Sequence, residues 1–153
     1  MVNIKEAEEW QRLAAMDLST AEYLKNMFPN PTEIICYHCQ QSAEKYLKGY
    51  LVFCGMAPPK IHDLDELCKL CLKFSDSFKN IADQCSDLAA YGVQPRYPME
   101  LILEEKDMLQ ALESAKVIRD FVLAAIQDKI AQEQQQDKLK SHEDSQSNHF
   151  QNN

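Results

Sequence analysis

The stretch Thr32-Glu-Ile-Ile-Cys-Tyr-His-Cys-Gln-Gln-Ser-Ala-Glu-Lys-Tyr-Leu-Lys-Gly-Tyr-Leu-Val-Phe-Cys54 decides the fold. Ile35, Cys39, Ser42, Ala43, Tyr46, Leu47, Tyr50, Leu51 and Cys54 recur at i, i+3/i+4 as one unbroken stripe, the spacing of a helix laid against a core. At about 100° per residue, His38, Gln41, Lys45 and Lys48 collect in an arc of roughly 80° on another side, with Glu44 at its border. Gly55 suits the position just past a helix end, and Pro58-Pro59 forbids continuation.

On the N-terminal side, residues 3–28 carry Trp10, Leu13, Ala14, Ala21, Leu24 and Phe28 at helical spacing, and Pro29-Asn30-Pro31 breaks that helix. On the C-terminal side, Asp63 followed by Glu66 reads as a capping-box-like start for a helix burying Leu64, Leu67, Cys68, Cys71 and Phe74. Ser75-Asp76-Ser77 interrupts it. Ser77 is placed to cap a short helix that buries Phe78, Ile81, Ala82, Cys85, Leu88 and Ala89. Gly92 to Pro98 reads as a loop. A last long helix is expected from about Met99 to Ile130, with Leu101, Met108, Leu112, Ala115, Val122 and Ile126 on one face. Leu103, Leu109, Ile118 and Leu123 lie off that face, and a helix apolar on two sides asks for two partners, which predicts a homodimer. From residue 131 onward only Ala131, Leu139 and Phe150 are apolar. Residues 1–130 are therefore expected to form the domain, and 131–153 a polar Gln/Asn-rich tail that extends the helix at first and is disordered at its end. The predicted fold is all-α: an up-and-down helical bundle of about five helices, three long and two short.

Composition narrows the function. The chain has 153 residues, 45% hydrophobic, with only 3 Gly, enough apolar material for one core and too few turn signals for a sandwich, barrel or Rossmann sheet. Sixteen Lys+Arg against 24 Asp+Glu leave a net charge of -8, which argues against a generic nucleic-acid binder held by overall positive charge but leaves room for a local basic site. The N-terminus lacks a signal-peptide core, and the longest apolar run, Phe121 to Ile126, is far short of the ~20 residues that span a bilayer. A cytoplasmic protein with reduced thiols is the expectation.

Cys36-x-x-Cys39 and Cys68-x-x-Cys71 invite a Cys₄ zinc reading. The pairs are separated by 28 residues, more than such sites use, and both lie inside helical stripes without a turn residue beside them. They read as small core residues, and neither metal nor cofactor is expected.

The segment Tyr37-His38-Cys39-Gln40-Gln41-Ser42-Ala43-Glu44-Lys45-Tyr46-Leu47-Lys48 resembles the signature helix of the HEPN family, the higher eukaryotes and prokaryotes nucleotide-binding domain. Trp10 to Leu24 resembles the family's first helix. Lys60-Ile61-His62-Asp63-Leu64 resembles its His-Asp-Leu stretch, and Tyr91 with Arg96-Tyr97-Pro98 resembles its Tyr…Arg-Tyr-Pro loop. Order and spacing agree over about residues 8–126. The resemblance implies an up-and-down bundle, usually dimeric. In prokaryotic stand-alone members it implies a partnership with a minimal nucleotidyltransferase, often as a toxin–antitoxin pair. Many relatives are metal-independent ribonucleases using an Arg-x(4–6)-His motif. Here Arg12, Arg96 and Arg119 are the only arginines and none has a His at that spacing, so no catalytic pair is carried over and enzymatic activity stays open.

His38, Gln41, Lys45, Lys48, His62 and Arg96 are the candidate ligand-binding residues. Lys45, Lys48 and Arg96 would neutralise phosphate, and His38 or His62 would donate to it or relay a proton. The leading expectation is a nucleotide- or RNA-binding partner of a nucleotidyltransferase. The alternatives are a metal-independent RNase built on His38, His62 and Arg96, and a non-catalytic dimeric interaction module. In a bland reading the same side chains bond to neighbouring helices, and Glu44 is simply the i, i+4 partner of Lys48.

Overall fold

A computed structural model describes residues 3–92 and 102–150. Five α-helices follow in order, α1 (Ile4–Leu24), α2 (Thr32–Phe53), α3 (Leu64–Leu72), α4 (Ala82–Ala89) and α5 (Glu105–Phe150), with a 3₁₀ segment Asp76–Ile81 leading into α4. No strand occurs among the described residues, so the all-α bundle expected from the periodicity is the fold. The chain divides into two compact units, Met1–Val122 and Leu123–Asn153.

In the first unit α2 is the central helix, packed on α1, α3 and α4. Ile35, Cys36, Cys39, Ala43, Tyr46, Leu47, Tyr50, Leu51, Val52 and Phe53 are all buried. The α1–α2 contact is close because both helices are small where they meet. Alanines 7, 14 and 21 recur every seven residues on the buried face of α1. They run antiparallel to Ser42 and Gly49 of α2. The Ser42 hydroxyl donates to the Ala14 carbonyl at 2.8 Å. A Cβ added at Gly49 would lie 3.1 Å from the Cβ of Trp10.

This seam corrects the expected face of α1. Leu13 is 37% exposed and Phe28 98% exposed, and α1 ends at Leu24. Trp10 and Leu24 are half-buried at the edges. A helix that approaches its neighbour this closely buries alanines and leaves larger residues at the rim.

The ends of the elements follow their local chemistry. Asn3 caps α1 by accepting from the Glu6 N–H at 3.0 Å. Past α2, Gly55 takes φ 88°, the Gly55 N–H donates to Val52 O and the Met56 N–H donates to Leu51 O, each at 2.9 Å, which is a Schellman closure. Asp63 caps α3 from its carboxylate to the N–H groups of Asp65 (2.8 Å) and Glu66 (3.3 Å). Ser77 does not cap a helix as expected. It lies within the 3₁₀ segment, its hydroxyl paired with that of Ser75 at 2.7 Å. Phe74, expected inside, is exposed because α3 has already ended at Leu72.

Helix α5 begins at Glu105, later than expected, because Asp107 accepts from the Glu104 N–H at 2.8 Å and sets the first turn there. Leu101 and the Gly92–Pro98 loop beyond Gly92 lie outside the described residues. Within the first unit Met108, Ala111, Leu112, Ala115, Ile118 and Val122 are buried. Ile118, read as a second apolar face, is thus part of the bundle's own core. Phe78 stacks between Tyr50 (centroids 4.5 Å apart) and Phe121 (4.9 Å), tying α2, the 3₁₀ segment and α5 together.

In the second unit the helix continues to Phe150, and residues 131–147 are exposed throughout. Ser141, Ser145 and Ser147 bond back to the carbonyls of Lys138, Ser141 and Glu143 at 2.7–3.0 Å. The expected disorder at the end of the tail concerns residues that include 151–153, outside the described ones.

Candidate functional site

The polar arc of α2 meets two carboxylates, one from α1 and one of its own. Asp17 projects from α1 beside the alanine seam. Its Oδ1 lies 3.0 Å from His38 Nδ1, and its Oδ2 accepts from Lys45 Nζ. His38 and Lys45 are two turns apart on α2, so one carboxylate spans both. Tyr37 packs edge-on against the His38 ring at 5.7 Å.

The second carboxylate is Glu44. Lys48 Nζ donates to Glu44 Oε1 at 2.8 Å, and His62 Nδ1 lies 2.8 Å from the same oxygen. The turn after α2 therefore brings His62 back to Lys48 through a shared partner. The other oxygen, Oε2, accepts from Gln40 and Gln41, both at 3.4 Å. Gln41 also donates to Gln40 Oε1 at 2.7 Å, and Gln40 donates to the His62 carbonyl at 3.2 Å. Glu44 and Lys48 are each 5% exposed, whereas the His62 side chain is 77% exposed. Lys48 Nζ stands 5.9 Å from the centre of the Trp10 ring.

A buried carboxylate is costly unless paired and hydrogen-bonded, and Glu44 meets that cost with one ammonium, one imidazole and two amides. For each histidine the carboxylate holds Nδ1, which orients the ring and leaves Nε2 as the atom for chemistry. His38, Gln41, Lys45, Lys48 and His62 are thus gathered along one edge of α2. Arg96 lies outside the described residues.

Two contributors escape sequence reading, and a third is read only in part. Asp17 is 21 and 28 residues from its partners, and nothing local marks it. Gln40 sits between the polar arc and the core stripe, and its role depends on His62 returning. Glu44 was legible as a partner of Lys48 but not as the centre of a network. One difference concerns accessibility: Lys48, expected as a contact for phosphate, is sealed in its ion pair with Glu44.

Burial pushes the Cys36 and Cys39 thiols up to about 12, with Asp107 and Cys36 respectively adding to the effect. Among the described residues no group of three or more His, Cys, Asp or Glu side chains is placed to hold a metal ion. No helix among the described residues is long and apolar enough to cross a membrane.

Comparison with known proteins agrees with this architecture. The family model of the HEPN domain matches residues 7–129. The crystal structure of ST0689, an archaeal HEPN homologue, is 25% identical with a TM-score of 0.61, covering 78% of this chain and 97% of its own. The crystal structure of TT1696 from Thermus thermophilus is 22% identical with a TM-score of 0.66, covering 77% and 96%, and is a likeness of fold. No curated protein matches. The resemblance carried by the α2 stretch and the His62-Asp63-Leu64 turn is thereby confirmed, and the chain belongs to the HEPN domain family.

Proposed function

We propose that this HEPN domain binds a nucleotide or RNA phosphate along the polar edge of α2, as a cytoplasmic homodimer that works with a minimal nucleotidyltransferase in a toxin–antitoxin-like pair. The observation that carries the binding reading is the pair of imidazoles, each anchored through Nδ1 on a carboxylate of the same edge. Two carboxylates (Asp17, Glu44) face two ammonium groups (Lys45, Lys48), so the edge is balanced on a chain of net charge -8. An anion arriving there meets no excess of negative charge, and protonation of either ring would tip the edge positive. His62 is the exposed donor, Lys45 the half-buried cation, and Arg96 adds a bidentate group if its loop reaches the edge. The cytoplasmic setting rests on the reading of the six cysteines as reduced core thiols. The nucleotidyltransferase partnership rests on the family resemblance.

The test is a titration with a mononucleotide and a short RNA at fixed low salt. His62→Ala, Lys45→Ala and Arg96→Ala should each weaken binding about 10–100-fold, the worth of one charge-assisted hydrogen bond. Unchanged affinity in all three overturns the reading and leaves a dimeric interaction module. For the partner, a small nucleotidyltransferase encoded next to this gene and copurifying with the protein is the expected result.

A second reading is favoured by the same two imidazoles. Two imidazoles on one edge are the kind of groups that metal-independent RNA cleavage uses as base and acid. Cleavage that persists in chelator and disappears in both His38→Ala and His62→Ala would establish it.

A further inference from the structure

The polar edge of α2 repeats one arrangement, a carboxylate that holds an imidazole nitrogen and an ammonium together. Glu44 holds His62 and Lys48, and Asp17 holds His38 and Lys45. The two copies differ in access. The Lys48 side chain is 6% exposed and that of Lys45 26%. They differ also in how the oxygens are shared. Glu44 meets Lys48 and His62 on Oε1, and its Oε2 accepts from two amides. Asp17 gives each partner its own oxygen: Oδ1 lies 3.0 Å from His38 Nδ1, and Oδ2 accepts from Lys45. Lys45 can therefore leave without undoing the histidine contact, and Asp17, 13% exposed, keeps a partner and a share of solvent.

We propose, on the phosphate-binding reading of this edge, that Asp17 is a built-in competitor for the ligand and that the site selects a phosphate monoester over an internal phosphodiester. Such a monoester is a nucleoside monophosphate or the phosphorylated end of an RNA. An incoming anion has to draw Lys45 Nζ away from a carboxylate that already accepts from it. An internal phosphodiester brings one negative charge and two free oxygens, no more than the carboxylate it would displace. A phosphate monoester brings about -1.5 to -2 charges at pH 7 and three strong acceptor oxygens, enough to take the ammonium. A run of backbone phosphates also needs a row of cations to follow. Of the two ammonium groups held by Asp17 and Glu44, only Lys45 is within an anion's reach, which suits one terminal phosphate.

The experiment titrates the full-length protein at fixed low salt and pH 7 with an RNA dinucleotide bearing a 5′-phosphate, and with the same dinucleotide ending in a 5′-hydroxyl. The phosphorylated form should bind about 10-fold tighter, the worth of one charge-assisted hydrogen bond, and Lys45→Ala should erase that difference. In Asp17→Asn the amide oxygen still accepts from the His38 ring while the competing charge is gone. The phosphorylated dinucleotide should then tighten by about another 10-fold, a gain that adding Lys45→Ala cancels. A nucleoside 5′-monophosphate tells the two sources apart. Affinity equal to that of the phosphorylated dinucleotide supports a free nucleotide as the ligand, and weaker affinity supports an RNA end. Equal affinity for the two dinucleotides, or weaker binding in Asp17→Asn, overturns the proposal while leaving phosphate binding at the edge intact. Failure of every probe to bind either protein removes the phosphate reading and this proposal with it. If Asp17→Asn does not fold, the dinucleotide pair on wild type and Lys45→Ala decides alone.

Discussion

At the scale of single residues, Glu44 is the most consequential side chain of the polar edge. It is buried, and it is the one carboxylate that faces both Lys48 and His62. Glu44→Gln leaves the Lys48 ammonium buried without its counter-ion, and a cost of about 3–5 kcal/mol is expected from chemical denaturation. Adding Lys48→Met should recover most of that loss, since a buried ion pair replaced by apolar volume is often neutral; no recovery would mean that Lys48 is held by something other than Glu44. Glu22 supplies a pH-dependent case. The Lys116 ammonium, 2.7 Å from its Oε1, holds the carboxyl below the usual carboxylate range as an ion pair, against a smaller effect of burial, and Lys25 on the other oxygen adds to it. The folded carboxyl is the stronger acid, so this stabilisation is present above about pH 4 and fades as pH falls through the lowered value. Both partners are about one-third exposed, so Lys116→Met should cost under ~1 kcal/mol at pH 7. The two proteins should converge in stability as pH falls through the lowered value, and a difference that stays flat through the acid range would remove Glu22 as its source.

At the scale of elements, the C-terminal end of α2 depends on two glycines for different reasons. Gly55 adopts φ 88° to close α2, a conformation that costs an L side chain roughly 1 kcal/mol, so Gly55→Ala should lower stability by about that amount without touching any core contact. Gly49 is helical, and alanine there would gain about 1 kcal/mol of helix propensity. The added Cβ would stand 3.1 Å from the Trp10 Cβ and 3.5 Å from the Ala7 carbonyl, so the seam must open slightly. Overpacking of this kind costs roughly 1–3 kcal/mol, and the net expectation is a small loss for Gly49→Ala and a severe one for Gly49→Leu. Equal stability of Gly49→Leu and wild type in a urea titration would show that the seam is looser than its geometry implies.

At the scale of the whole molecule, stability and assembly separate along the chain. Residues 131–147 bury nothing, so deleting 131–153 should change the unfolding free energy by less than about 0.5 kcal/mol. A larger loss would mean that the polar helix is engaged in an assembly. The homodimer expected from the apolar excess of α5 needs a different surface now that Ile118 is in the core. Leu109 remains 47% exposed, and α1 carries Leu13, Met16 and Tyr23, with Met27 just past its end, at 37–73% exposure. Contiguous exposed apolar side chains of this kind mark interaction surfaces. Light scattering should report a mass near twice 17.6 kDa, and Met16→Glu should shift it toward the monomer; a monomeric wild type at micromolar concentration would refute the dimer.

What the amino-acid sequence determined by itself was local. The stripe from Ile35 to Leu51, the closure at Gly55 and the cap at Asp63 each depend on residues within one or two turns, where helical periodicity and backbone chemistry act directly. The arc of His38, Gln41, Lys45 and Lys48 was visible for the same reason, since angles around one helix are fixed by its pitch. The partners of that arc were not visible. Asp17 reaches His38 and Lys45, and His62 reaches Glu44, only because α1 lies close against α2 and the chain turns back after Gly55. Likewise Leu13 has the right period for a core and lies at its rim, because the alanine seam, not the hydrophobicity of each residue, sets which face of α1 meets its neighbour, and Phe28 lies outside because α1 has already ended at Leu24. Pairings across 18 to 28 residues depend on the distance between helices, and that distance is a property of packed surfaces rather than of any local pattern.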